Sequence, residues 1–105
     1  MVDHPQTCLE KLFESAGSDA VKKGERLYME QLRKSVKADL MEECSHLPLG
    51  AQERSAYSDS RYKRHLIELR EAIVADETAK NTRAAREMII EAWRTSQASK
   101  RILKV

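Results

Sequence analysis

Glycine and proline are scarce: three and two residues in a chain of 105. That leaves little material for β-turns and argues against an all-β architecture. The three glycines are far apart, so no phosphate-cradling loop of the Walker type is present. Two cysteines, Cys8 and Cys44, are too few for a disulfide framework. No CxxC pair and no HxxxH accompany them, and His4, His46 and His65 are scattered. A zinc site needs four convergent ligands, so no metal or other cofactor is expected. Aromatics are 5% of the chain. No apolar run approaches the ~20 residues of a membrane span. The first ten residues lack a basic segment followed by an apolar one, so no signal peptide is expected. A cytoplasmic protein with free thiols is the corresponding expectation.

What remains is a helical composition, 41% hydrophobic and 34% charged. The length predicts one domain. Asp59 to Lys100 contains neither glycine nor proline. Tyr62, Leu66, Leu69 and Ile73 recur at helical spacing, and Ala84, Met88 and Ala92 resume it. One very long helix, or two in line, is predicted there, with Ser58 or Asp59 as its cap. Upstream, Thr7 and Glu10 have the spacing of a capping box. Leu9, Leu12 and Phe13 give a short first helix that Gly17 and Ser18 are expected to end. A second helix is expected from about Ala20 to Cys44, striped by Val21, Tyr28, Leu32, Val36 and Leu40. Pro48 ends it. Residues 51–57 are expected to form one helical turn, with Leu49 and Tyr57 plugging the core. The predicted fold is all-α: two long antiparallel helices plus a short N-terminal helix.

The segment from Ala84 to Trp93 is apolar on almost every side. Such a helix is normally buried all round, and three helical segments do not suffice to surround it. A homo-oligomer, expected as a dimer, or a protein partner is therefore expected to cover Met88, Ile89, Ile90 and Trp93. The tail Ile102-Leu103-Lys104-Val105 joins apolar side chains to a terminal carboxylate, a combination that can dock into a partner groove, but a frayed terminus is the expectation.

Charge is unevenly placed, although the net value is only +2. Up to Asp19, Lys11 stands against Asp3, Glu10, Glu14 and Asp19. Arg61, Lys63, Arg64 and Arg70 then stand against Glu68 alone. After Glu91 there is no acid, while Arg94, Lys100, Arg101 and Lys104 follow. The pI of 8.6 falls below the ~9 of a clear nucleic-acid binder. Arg61, Lys63, Arg64, Arg94, Lys100 and Arg101 are nonetheless the candidate phosphate contacts, with Trp93 placed to stack on a base. Cations in the last turns of a helix also suit its dipole without any ligand. His65, beside Arg64, is expected on the solvated surface, and Cys44 in the core. Nucleophilic catalysis needs a nucleophile, base and orienting group in one cleft. The adjacent pair Ser45-His46 does not supply that, and no enzyme is expected.

Two stretches, ERLYMEQLRKSVKADLM (Glu25–Met41) and MIIEAWRTSQASKR (Met88–Arg101), resemble segments of small helical proteins from temperate phages and prophages. Lys34-Ser35-Val36-Lys37-Ala38 and Glu91-Ala92-Trp93-Arg94-Thr95 are the specific parts. Together the stretches span about a third of the chain. The group has no established activity. The resemblance implies a phage origin, a host-cytoplasmic location and, from the recombination genes such proteins accompany, a role near DNA metabolism. The expected function is a non-enzymatic accessory protein that contacts single-stranded or duplex DNA in recombination or replication. The alternative is a helical adaptor or inhibitor that grips a host protein without touching nucleic acid.

Overall fold

The computed structural model describes residues 3–103. It contains three α-helices: α1 (Pro5–Glu42), α2 (Leu49–Ser58) and α3 (Ser60–Leu103). Among the described residues there is no strand. Nor is any helix among them long and apolar enough to cross a membrane.

The expected short N-terminal helix is not separate. α1 continues through Gly17 and Ser18 for 38 residues. An interior glycine costs only about 1 kcal/mol relative to alanine, and good helix formers surround it. No glycine has a positive φ, so none serves as a left-handed helix stop. The start also lies earlier than Thr7. Pro5 takes the first helical position, where its missing N–H costs nothing. His4 caps it, its Nδ1 accepting from the Gln6 backbone N–H at 3.1 Å.

α1 ends in tight turns from Cys44 to Met41 and from Ser45 to Glu42. Gln52 closes the linker by donating to the Leu47 carbonyl at 2.7 Å. α2 is a full ten-residue helix, longer than the single turn expected. Asp59, with φ −68° and ψ 135°, is the only residue between α2 and α3. Its Oδ1 accepts from the Arg61 backbone N–H at 2.8 Å, which caps α3. α3 is one helix of 44 residues, continuous through the polar stretch 75–83.

The chain clusters into two compact units. One combines the residues up to Val21 with those from Glu77 onward; the other is Lys22–Asp76. In the second unit Leu40, Ala56 and Tyr62 form the core, with Val36 and Met41 against it. Tyr57 meets Tyr62 edge-on at 5.4 Å, and the Lys37 ammonium sits 4.7 Å from the Tyr57 ring centre. Leu49 does not plug this core; it is exposed, because α2 turns it outward. His65 is buried, contrary to expectation, and its Nε2 lies 3.0 Å from the Met29 carbonyl oxygen. A hydrogen bond to a backbone carbonyl is what makes burying an imidazole tolerable. Cys44 is half-buried, its Sγ 3.4 Å from Ser55 Oγ.

The first unit has a thinner core. Its buried residues are Cys8, Ala79 and Asp19, and Asp19 accepts from Arg83 Nη1 at 3.2 Å. Cys8, not Cys44, is the fully buried thiol.

Candidate partner-binding surfaces

The six candidate cations fall into two groups, one in each unit. Arg61, Lys63 and Arg64 belong to the first turns of α3. There Arg61 is already engaged by carboxylates. Its Nη1 donates to Glu43 Oε1 at 2.9 Å and its Nη2 to Glu43 Oε2. Nη2 and Nε also reach the Asp59 carboxylate at 3.0 and 3.1 Å. The fork raises the Arg61 pKa above its ordinary value, through Glu43 first and Asp59 second. The same hydrogen bonds hold the Glu43 and Asp59 carboxyls below their usual range. A guanidinium shared by two carboxylates sits in locally negative surroundings and is a poor phosphate contact. Arg64 lines a groove with Val36 and His65 whose rim also carries Asp39 and Glu68. Lys63 is exposed on the helix surface.

The second group stands differently. Arg94, Lys100 and Arg101 are all exposed on the last turns of α3. Arg94 has one acidic neighbour, Glu91, at 3.6 Å. That is an exposed i, i+3 pair, worth little. At 100° per residue, Ala79, Arg83, Arg86 and Ile90 form one stripe of α3, and all four are buried or half-buried. Arg94, Gln97 and Arg101 continue the stripe. The arginines of this stripe are half-buried up to Arg86 and stand exposed further on: Arg94 and Arg101 are exposed and Gln97 half-buried. Two helical turns separate Arg94 from Arg101, about 10 Å along the axis. Trp93 and Lys100, also seven residues apart, lie on the adjoining side. Trp93, Arg94, Gln97 and Arg101 line one shallow groove.

Of the residues expected at a partner interface, Met88 is 72% and Trp93 45% exposed. Ile89 and Ile90 are half-buried. Trp93 shares a small hollow with Leu9, Ile90 and the α1 start at His4 and Pro5. It is thus neither core nor free. Of the expected tail, Ile102 and Leu103 are exposed, while Lys104 and Val105 lie outside the described residues.

Ser45 and His46 are both exposed in the turn after α1. Among the described residues, no cluster of three or more His, Cys, Asp or Glu side chains is placed to hold a metal ion. Sequence reasoning missed the ion pairs of the buried acids Asp19 and Asp76, with Arg83 and Arg26, whose signal was an acid on the packed stripe of each helix. No protein-family model, curated protein or solved structure matches the chain.

Proposed function

We propose that this is a non-enzymatic accessory protein of temperate-phage origin that acts in the host cytoplasm by binding nucleic acid in recombination or replication. In this reading α1 and α3 run antiparallel and the protein works as a dimer. The supporting observation is the C-terminal end of α3. After Glu91 the described helix presents Arg94, Lys100 and Arg101 exposed, with no acid among them. Thr95, Ser96, Gln97 and Ser99 lie between, side chains that also contact phosphate and sugar. Arg61 is removed from the contact set by Glu43 and Asp59, and Arg64 is weakened by Asp39 and Glu68. The phosphate contacts therefore fall on the α3 end.

Three cations from each of two copies engage about 4–6 phosphates, giving a log–log salt slope of about −4 to −5 on duplex DNA. Sequence preference is weak, since the arrangement offers no recognition helix seated for base readout. Half-exposed Trp93 favours single strands by stacking. The test is fluorescence anisotropy on labelled single-stranded and duplex oligonucleotides across a salt series. Steep, sequence-independent binding supports the reading, and no binding at low salt removes it.

The second reading is a helical adaptor for a host protein. Exposed Met88, Trp93, Ile102 and Leu103 favour it, because apolar side chains at a helix end fit a partner's groove. Retention of a defined host protein after nuclease treatment, with no DNA binding by the purified chain, selects this alternative.

A further inference from the structure

A groove of about 360 Å³ runs between α1 and α3 within the second unit. Small-molecule sites occupy about 300–1,000 Å³. At 100° per residue, Tyr62 and Glu68 lie on opposite flanks of His65 in α3. α2 packs on the Tyr62 flank, where Tyr57 meets Tyr62 and Lys37, and leaves the Glu68 flank open. On the open flank Val36 and Leu40 of α1 supply an apolar floor. Asp39 of α1 and Glu68 of α3 stand exposed at the rim. Neither has an ion-pair partner among the described residues.

The wall adds a nearly buried acceptor. His65 is 5% exposed, and its Nε2 lies 3.0 Å from the Met29 carbonyl oxygen. A carbonyl only accepts, so Nε2 carries the hydrogen and Nδ1 of the neutral ring is a lone-pair acceptor. No group among the described residues donates to Nδ1. It is not sealed from solvent, and the groove is the open space that His65 lines. An acceptor in so sheltered a place favours a ligand that donates to it.

Charge decides what kind of donor. Arg61, which also borders the groove, is held by Glu43 and Asp59. That leaves Arg64 as the one uncommitted cation, against Asp39, Glu68 and Nδ1 as acceptors. The three acceptors are not placed to hold a metal ion. An ammonium forms longer bonds, about 2.8 Å against about 2.0–2.6 Å for a hard metal, and brings three donors. We infer that the groove binds an alkylammonium group, which donates to His65 Nδ1 and to the rim carboxylates of Asp39 and Glu68 while its stem lies on Val36 and Leu40. The group belongs to a free aliphatic amine or to a lysine side chain of a partner protein. This site is independent of the nucleic-acid reading.

Nitrogen NMR of the histidine rings in the full chain tests it, with 1-aminopentane, 1-pentanol, pentanoate and a doubly capped lysine as probes. 1-Aminopentane should shift His65 Nδ1 and leave His4 and His46 in place, with a dissociation constant of about 1–10 mM, the range open to so small a ligand. 1-Pentanol and pentanoate should bind at least about tenfold more weakly. Asp39→Asn with Glu68→Gln should weaken amine binding at least about tenfold and leave the helical circular dichroism unchanged, because both side chains are exposed. Arg64→Gln should tighten it about two- to threefold by removing the competing cation. Tighter binding of the capped lysine than of the free amine upholds the site and assigns it to a partner's side chain; the reverse order upholds it and assigns a small amine. A His65 ring unmoved by either amine overturns the site. Amine binding that survives Asp39→Asn with Glu68→Gln overturns the charge recognition. Pentanoate binding that Arg64→Gln abolishes makes the groove an anion site and overturns the inference.

Discussion

Arg26 Nη1 lies 2.7 Å from Asp76 Oδ2, and the Asp76 side chain is 3% exposed. Two residues fifty positions apart in the sequence thus form a nearly dry ion pair between α1 and α3, inside the second unit. Stranding one charge of a buried pair costs about 3 kcal/mol, and Arg26 keeps a second acidic neighbour, Glu30, at 3.6 Å. Asp76→Ala should therefore lower unfolding stability by less than that, about 1–2 kcal/mol in urea titrations. Replacing both partners by apolar residues, Arg26→Met with Asp76→Leu, should recover most of the loss. A neutral Asp76→Ala would mean that the pair contributes nothing.

The Arg61 fork has a pH signature. Glu43 and Asp59 are held below their ordinary pKa, with the Arg61 hydrogen bonds as the leading cause. A depressed carboxylate stabilises the fold above its unfolded pKa, and the contribution disappears as pH falls through the folded value. The difference in Tm between wild type and Arg61→Gln should therefore be present near neutrality and shrink towards about pH 3, below the usual carboxylate range. A difference that grows on acidification contradicts the arrangement. Glu43 is exposed and Asp59 half-buried, so the effect should also fade in high salt.

Trp93 lies between core and surface. Full truncation of a core aromatic costs about 3–5 kcal/mol. With 45% of its surface exposed, Trp93→Ala should cost about 1–2 kcal/mol. Thermal unfolding measures this. Intrinsic fluorescence, which Trp93 alone supplies among tryptophans, should shift and be quenched on binding single-stranded DNA.

Gly17→Ala separates helix propensity from packing. Nothing in the chain opposes the added methyl, so the isolated chain should gain up to about 1 kcal/mol. Chemical denaturation at low protein concentration reads that gain. At high concentration it should diminish if a second copy packs closely against Gly17.

The long α3 was readable because nothing between Asp59 and Lys100 interrupts a helix and the apolar spacing persists. A cap at Ser58 or Asp59 followed from the same local rule, and Asp59 is the one that caps. The break expected at Gly17 failed, since a single glycine without a positive φ does not outweigh the helix formers on either side. Leu49 and His65 were misassigned for a different reason: burial depends on which neighbour a helix face meets, and the Met29 carbonyl that receives His65 is 36 residues away. Arg61 looked like a free cation because one of its carboxylate partners, Glu43, lies 18 residues upstream in the α1–α2 turn; the other, Asp59, is only two residues away. The change in character at Arg94 was visible as charge, and the structure adds that burial ends at the same place.

The most direct test of the account is the salt dependence of DNA binding in wild type and in a variant carrying Arg94→Ala, Lys100→Ala and Arg101→Ala. The wild-type slope should be about −4 to −5 on duplex DNA, and the variant should lose most of it while keeping its helical circular dichroism. An unchanged slope in the variant, or no binding by the wild type at low salt, contradicts a nucleic-acid role for the end of α3.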